Sequence, residues 1–217
     1  MSGCCDNEDY QSVFTERSAR RVAKRYGKAG LNPTAQRIVE FAAGHGIQDA
    51  TVLEIGGGIG EIQVELLRRG AAHVTNLEIS HNYEEEAGRL LERSGMADRV
   101  TRRFLDIARS PDQVEPADVV VLHRVVCCYP DYQALLSAAA AHARRVLVYS
   151  HPAEVLSNKA AIGTENLLRR LQGNAFRAFV HPPEAMVAAA ESAGLTASYR
   201  HQVWSRTWKW DVVGLVR

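Results

Sequence analysis

Thr51-Val-Leu-Glu-Ile-Gly-Gly-Gly-Ile-Gly60 is the stretch around which the rest of the chain is interpreted. Its first half, Thr51–Ile55, is apolar and rich in β-branched residues, which predicts a buried strand. Four glycines follow within five residues, and Glu61 then opens a segment with apolar residues at helical spacing. The pattern therefore predicts a strand, a tight glycine turn and a helix, which is the first half of a nucleotide-binding βαβ unit.

The glycine spacing indicates which ligand this turn accepts. A dinucleotide-binding turn requires G-x-G-x-x-G, but Glu61 occupies the third glycine position. Its carboxylate at a helix N-terminus would repel a pyrophosphate, which argues against NAD or FAD. An idle turn without a ligand is the alternative, although so many glycines cost stability there. The residues that form the predicted cradle are Glu54, Gly56, Gly57, Gly58 and Gly60.

Two further acids follow at informative positions. Glu78 ends the second predicted strand, about 20 residues after the glycine turn, where an acid accepts hydrogen bonds from both ribose hydroxyls. Ile79 comes next and is placed to pack on an adenine ring. Asp106 follows the third predicted strand. Each acid also suits the cap of a following helix, so both interpretations stay open.

The glycine stretch, Glu78 and Asp106 together resemble the motifs of class I S-adenosylmethionine (SAM) methyltransferases. The resemblance implies an α/β, Rossmann-like fold: a seven-stranded, mostly parallel sheet with helices on both faces and an antiparallel last strand. It implies SAM as cofactor and S-adenosylhomocysteine as product, with Asp106 and Ile107 beside the adenine. His123, at the end of the fourth predicted strand, completes the expected cofactor site.

A closer resemblance is to the magnesium-protoporphyrin O-methyltransferase-like branch of this family. It rests on the N-terminal helix that carries Tyr26, on Tyr129-Pro130 after the fourth strand, and on His181-Pro182 before the last helix. That branch tends to carry a histidine just before Tyr-Pro, whereas this chain has Cys128 there. Cys128 and Tyr129 are expected to contact the methyl acceptor.

The order of the predicted elements indicates the domain organisation. The length of 217 residues suits one α/β domain with a small cap. We predict a helical cap over residues 1–46 and a SAM-binding domain over residues 47–217, with a cap insertion at about 153–181. Residues 1 to about 10 are expected to be loosely packed, and a helix is expected from Ser12 to Tyr26. The insertion is expected to be helical but interrupted around Gly163.

Catalysis of methyl transfer needs an aligned nucleophile and, for a hydroxyl or thiol acceptor, a base that removes its proton. His123 is the first candidate base because it ends the predicted central strand, although it also suits a cofactor contact or core packing. His151 is the second candidate. Tyr26 is the N-terminal residue expected at the pocket, in both catalysis and acceptor binding. Cys127 and Cys128 more commonly act as small buried apolar residues than as nucleophiles.

The composition narrows the class of acceptor. The net charge is +1, so nothing in the whole chain favours nucleic acid, and the apolar runs are broken by charge before they could span a bilayer. The acidic start and two adjacent cysteine pairs, Cys4-Cys5 and Cys127-Cys128, are typical of a reduced cytoplasmic protein. We expect a small-molecule acceptor methylated at oxygen, no metal, and an open oligomeric state. The alternatives are an RNA or protein methyltransferase that uses the basic N-terminal helix, and a non-catalytic SAM-binding partner subunit.

Overall fold

Seven strands form one sheet in the computed structural model, which describes residues 7–204 and 208–217, with side chains from residue 9 onward. The first five strands are parallel, and the last one is antiparallel to both of its neighbours. This arrangement confirms the predicted fold, and the third strand lies at an edge as its amphipathic sequence indicates. The strands are β1 Thr51–Ile55, β2 His73–Glu78, β3 Val100–Phe104, β4 Ala117–His123, β5 Ala143–Pro152, β6 Thr196–Trp204 and β7 Lys209–Val216, in the spatial order β3-β2-β1-β4-β5-β7-β6.

Helices cover both faces of the sheet, which explains the near-continuous apolar sequence of β4. Val120 and Leu122 face a core layer that includes residues of two helices, whereas Val119 and Val121 face the layer on the other side. A parallel strand buried on both faces favours apolar residues at successive positions, as residues 119–122 show. The helices are α1 Asn7–Val13, α2 Glu16–Ala29, α3 Pro33–Gly44, α4 Glu61–Arg68, α5 Glu84–Ser94, α6 Tyr132–Ala141, α7 Leu156–Leu171 and α8 Pro183–Glu191.

The three N-terminal helices occupy two different places. Helix α3 packs under the sheet, where Ile38 and Val39 are fully buried and the Phe41 ring fills the space beside Gly214. Helices α1 and α2 instead lie near the carboxyl ends of the strands, and the Gln11 side chain donates to the carbonyl oxygen of Ile79 at 3.0 Å. The region before β1 therefore has one helix in the core and two near the carboxyl ends of the strands.

Two sequence-based expectations need correction. Residues 7–10 are not loosely packed, because they begin α1 and Tyr10 is only 7% exposed in a cluster with Phe176. Residues 1–6 lie outside the described part of the chain. Helix α7 runs without interruption through Gly163, since the backbone there keeps helical hydrogen bonding. The expected helix over Ser12–Tyr26 is divided instead between α1 and α2. No helix within the described ranges is both long and apolar enough to cross a bilayer.

Candidate active site

The glycine loop after β1 adopts a conformation that only glycine fits well. Gly56, Gly58 and Gly60 have φ angles of +65°, +56° and +87°. A Cβ at Gly57 would lie 1.9 Å from Nδ2 of Asn76, which stands beside Glu54 on the neighbouring strand. The loop is therefore sharply bent, and the Asn76 side chain packs directly against its backbone, which only glycine permits.

Two adjoining cavities lie at the carboxyl edge of the sheet, beside this loop. The first has a volume of about 230 Å³ and contacts the glycine loop and the end of β4. The second, of about 480 Å³, lies beyond Glu78 and reaches Asp106. They share Tyr10, Glu78, Ile79 and Tyr129 as wall residues. An elongated trough results at the point between β1 and β4 where the strand order reverses, the usual ligand site of doubly wound sheets.

Most of the residues predicted from the sequence stand in the walls of this trough. Asp106 stands in the second cavity. Gly60 is the N-cap of α4, and Ile107 is 1% exposed in the core, so these two stand behind the walls. The predicted residues in the wall of the first cavity are Glu54, Gly56, Gly57, Gly58, Glu78, Ile79, His123, Cys128 and Tyr129.

Glu78 holds the glycine loop in place with its carboxylate. One oxygen, Oε2, accepts a hydrogen bond from the backbone N–H of Gly58 at 2.9 Å. The other, Oε1, accepts from the N–H groups of Ile79 at 2.8 Å and Ser80 at 3.1 Å. The cap interpretation left open above therefore describes part of its role. The side chain also remains in the wall of both cavities.

Tyr129 lines both cavities and contacts Asp106, which lines the second. The Tyr129 hydroxyl donates to Oδ2 of Asp106 at 2.9 Å, and the backbone N–H of Ala108 donates to Oδ1 at 3.0 Å. Arg109 adds a nitrogen 3.4 Å from Oδ2. Burial, followed by the hydrogen bond to Asp106, raises the pKa of the Tyr129 phenol. The Tyr129 hydroxyl therefore stays protonated and fixes the position of the carboxylate.

Two carboxylates in the first cavity lie in a strongly desolvated environment. Burial, with the nearby charge of Glu61 second, raises the pKa of Glu54 to about 8. Its Oε2 atom is buried and has no hydrogen-bond partner among the described residues. Burial also raises the pKa of Glu61, at the start of α4, and Arg25 lies 3.5 Å from its Oε1. A buried carboxylate oxygen without a partner is costly, so Glu54 is suited to a cationic group in this cavity.

His123 enters the first cavity as a neutral imidazole. Burial, and then the charges of Arg124 and Arg25, lower its pKa well below the ordinary value. Its Nε2 atom is buried without a partner among the described residues. A neutral imidazole nitrogen with no partner is able to accept a proton or to donate one, depending on its tautomer.

Tyr26 and His151 are not brought to the trough. The Tyr26 hydroxyl donates to Oε1 of Glu65 on α4 at 2.6 Å, and the ring packs among α2, α4 and α5. His151 is 2% exposed, with Nδ1 3.0 Å from the carbonyl oxygen of Pro152. Neither side chain belongs to the wall of the two cavities, so this geometry gives no support to a catalytic role for either.

Several wall residues were missed from the sequence. Arg124 has a φ of +60°, and its guanidinium lies over the Trp210 ring at 4.4 Å. Its position directly after His123 at a strand end was the one signal that would have identified it. Glu61 was used only as an argument against a phosphate. Others come from helices or turns for which no spacing rule exists, among them Tyr10, Phe14, Val22, Arg25 and Tyr83.

The fold and the trough together define an α/β protein that binds its ligand in the crevice at the carboxyl edge of a doubly wound sheet. The sequence places it further: a methyltransferase domain profile matches residues 14–198, and the chain belongs to this family. It is therefore a SAM-dependent methyltransferase. No curated protein matches the sequence.

Solved structures show the same fold at low sequence identity. Magnesium protoporphyrin IX methyltransferase from Synechocystis PCC 6803, with S-adenosylhomocysteine bound, has a TM-score of 0.76 at 20% identity and covers 98% of this chain and 100% of its own. An O-methyltransferase family protein from Burkholderia thailandensis gives 0.67 at 16%, covering 94% of this chain and 62% of its own. A putative sarcosine dimethylglycine methyltransferase from Galdieria sulphuraria gives 0.67 at 14%, covering 92% and 98%.

The residues of the trough suit SAM on observations of this structure. SAM carries an ammonium and a sulfonium but no phosphate, and the unpartnered, buried Oε2 of Glu54 stands in the first cavity. The glycine loop packs without side chains against Val125 and Asn76, so its backbone forms the cavity wall beside Glu54. Glu61, which would repel a pyrophosphate at the start of α4, is compatible with a cationic group.

Proposed function

We propose that this chain transfers the methyl group of SAM to an oxygen of a small, largely apolar acceptor bound in the first cavity. One observation carries the proposal: the cavity beside the glycine loop is covered by α1 and α2 and has a mostly apolar and aromatic wall. Tyr10 and Phe14 come from α1 and its end, Val22 from α2, and Tyr83 from the turn before α5. A concave, mostly apolar pocket of this kind suits a small molecule rather than a polymer.

The division of the trough supports an assignment of its parts. Bound SAM supplies an electrophilic methyl group on a sulfonium. Glu54 receives the cationic end of the cofactor in the first cavity, close to the glycine loop. Glu78 and the Asp106–Tyr129 pair receive the nucleoside end in the second cavity, with Ile79 packed against the base. Gly60 and Ile107 support these groups from behind.

His123 is proposed as the base that takes the acceptor proton. It stands in the cavity wall, its lowered pKa keeps it neutral, and its Nε2 atom has no competing partner among the described residues. Cys128 and Tyr129 lie in the same wall and are proposed to contact the acceptor.

The test of the base is the variant His123→Gln, measured with an acceptor found by screening hydroxylated small molecules, because a carboxylate acceptor carries no proton for a base to remove. Loss of a general base lowers kcat by roughly 100- to 10,000-fold, while the affinity for SAM stays within a few-fold of the parent. His73→Gln is the matched control, because His73 lies at the start of β2 and contacts Thr101 on the neighbouring strand. Equal kcat in both variants would assign His123 to packing or cofactor contact.

Binding measurements distinguish the alternatives to a small-molecule enzyme. Calorimetry with SAM, S-adenosylhomocysteine and NAD is expected to give heat with the first two alone. An RNA methyltransferase would bind RNA with a steep dependence on salt, through exposed cations of α2. A non-catalytic partner subunit would bind SAM yet methylate nothing in the screen. Methyl transfer to a small acceptor, with no salt-dependent RNA binding, supports the proposal.

A further inference from the structure

Cys127 and Cys128 are two neighbouring thiols at the first cavity that the proposed methyl transfer does not use. A short 3-10 turn, Val126–Cys128, follows β4 and places both side chains on one side of the backbone. Their Sγ atoms lie 3.6 Å apart, and the carbonyl oxygen of Arg124 lies 3.6 Å from one and 3.7 Å from the other. Adjacent residues of a strand would point to opposite faces, so the turn creates this triangle of two sulfurs and one oxygen.

The pair is reached from the cavity. Cys128 belongs to the cavity wall, and Cys127 is 6% exposed directly behind it. Both thiols are free. A disulfide between adjacent residues is strained, so oxidation to one another is not the natural use of this arrangement. A group that enters the cavity meets Cys128 first and has the second sulfur within reach of the same atom.

The protonation of the pair decides which class of ligand it suits. The hydrogen bond between the two thiols, and then burial, raise the pKa of the Cys128 thiol well above its ordinary value. A zinc or copper ion requires thiolates and would have to displace protons from a desolvated site. No group of three or more His, Cys, Asp or Glu side chains in the described ranges stands ready to hold a metal ion. Trivalent arsenic oxides and hydroxides differ, because their oxygen carries the thiol protons away as water.

We propose that Cys127 and Cys128 form a two-thiol binding site for trivalent arsenicals in the wall of the first cavity. With an arsenoxide, two S–H bonds and the arsenic–oxygen double bond break, two As–S bonds form, and the oxygen leaves with both protons as one water. Arsenic stays trivalent, so no oxidant or reductant is needed. The site does not depend on the identity of the methyl acceptor.

The experiment uses phenylarsine oxide on the full chain with Cys4→Ser and Cys5→Ser. This background removes the other adjacent pair, which would bind the reagent itself. One equivalent is added, followed by excess glutathione, a monothiol, and the intact mass is measured. We expect one arsenical per chain that survives glutathione and is released by ethanedithiol, because two-point attachment resists a competitor that offers one thiol.

Single variants in the same background identify the two ligands. Cys127→Ser and Cys128→Ser each leave a one-point attachment, which weakens retention against glutathione by roughly 100-fold or more. Thermal melting of each variant reports that the fold is kept. The proposal is overturned if the background protein retains no arsenical, or if either single variant retains it as well as its parent. The first of these outcomes is measured on the background protein alone, so it tests the proposal even if a single variant fails to fold.

Discussion

Glu54 shows how one residue couples folding, ligand binding and pH. Burial and the charge of Glu61 raise its pKa from an ordinary 4.5 to about 8, so the folded protein holds a proton that the unfolded chain releases between these values. Stability that depends on this proton is complete below pH 4.5 and is lost as the pH rises through about 8. Ionising Glu54 in the folded protein without a ligand therefore costs roughly 5 kcal/mol more than in the unfolded chain.

The variant Glu54→Gln tests this coupling. It removes the charge, so its melting temperature between pH 5 and pH 9 should decline less than that of the parent, while its affinity for SAM falls at least tenfold. In the parent, SAM binding at pH 7 should release a proton, which calorimetry detects as a binding heat that depends on the buffer. Glu92→Gln, on the exposed side of α5, is the control and should leave both properties unchanged. A parent-like pH profile in Glu54→Gln would contradict the assignment.

Residues of the site were predictable where a spacing rule exists. Glu54 lies within β1 and Glu78 ends β2, while the glycine loop follows β1 and Asp106 follows β3, so the strand patterns locate all of them. The aromatic wall has no such rule. Tyr26 was expected at the pocket, but its hydroxyl pairs with Glu65, and Tyr83 from the turn before α5 takes a place in the wall. Whether Tyr26 or Tyr83 reaches the cavity depends on tertiary packing, which cannot be read from a single sequence.

At the level of elements, the strands were predicted more accurately than the N-terminal helices that line the first cavity. Helix α1 was missed because its polar and acidic composition is typical of a loose terminus. It is held instead by distant contacts, among them the Tyr10 and Phe14 rings, each 5.6 Å from the Phe176 ring. Tertiary contacts of this kind override weak local propensity.

Helix α7 offers a direct test of the corrected element. Gly163 lies within a continuous helix, and a Cβ there would meet no atom within 4 Å. Gly163→Ala should therefore raise the free energy of unfolding by roughly 0.5–1 kcal/mol, measured by urea denaturation. Gly95 also has open space but a φ of +64° at the end of α5, so Gly95→Ala should destabilise by about 1 kcal/mol. A loss of stability in Gly163→Ala would contradict a continuous helix and favour the interruption at Gly163 that was expected from the sequence.

At the scale of the whole molecule, the trough depends on how the N-terminal helices pack on the sheet, which the order of elements along the chain does not reveal. The sheet presents the ends of β1, β2 and β4 at one edge, and helices from the N-terminal region close that edge. Helix α3 belongs instead to the core beneath the sheet. The proposed division at residue 46 treats these helices as one cap. In the structure, α1 and α2 line the cavity, whereas α3 packs in the core.

Two deletions decide between these descriptions. Removing residues 1–14 takes away α1 with its cavity contacts, so the protein should remain folded but bind SAM at least tenfold more weakly. Removing residues 1–46 also takes away Ile38, Val39 and Phe41, whose burial is worth about 2 kcal/mol each. That sum is comparable with the whole stability of a domain, so this shorter chain should fail to give a cooperative melting transition. A folded chain of residues 47–217 that binds SAM would show that the three helices form a separable cap.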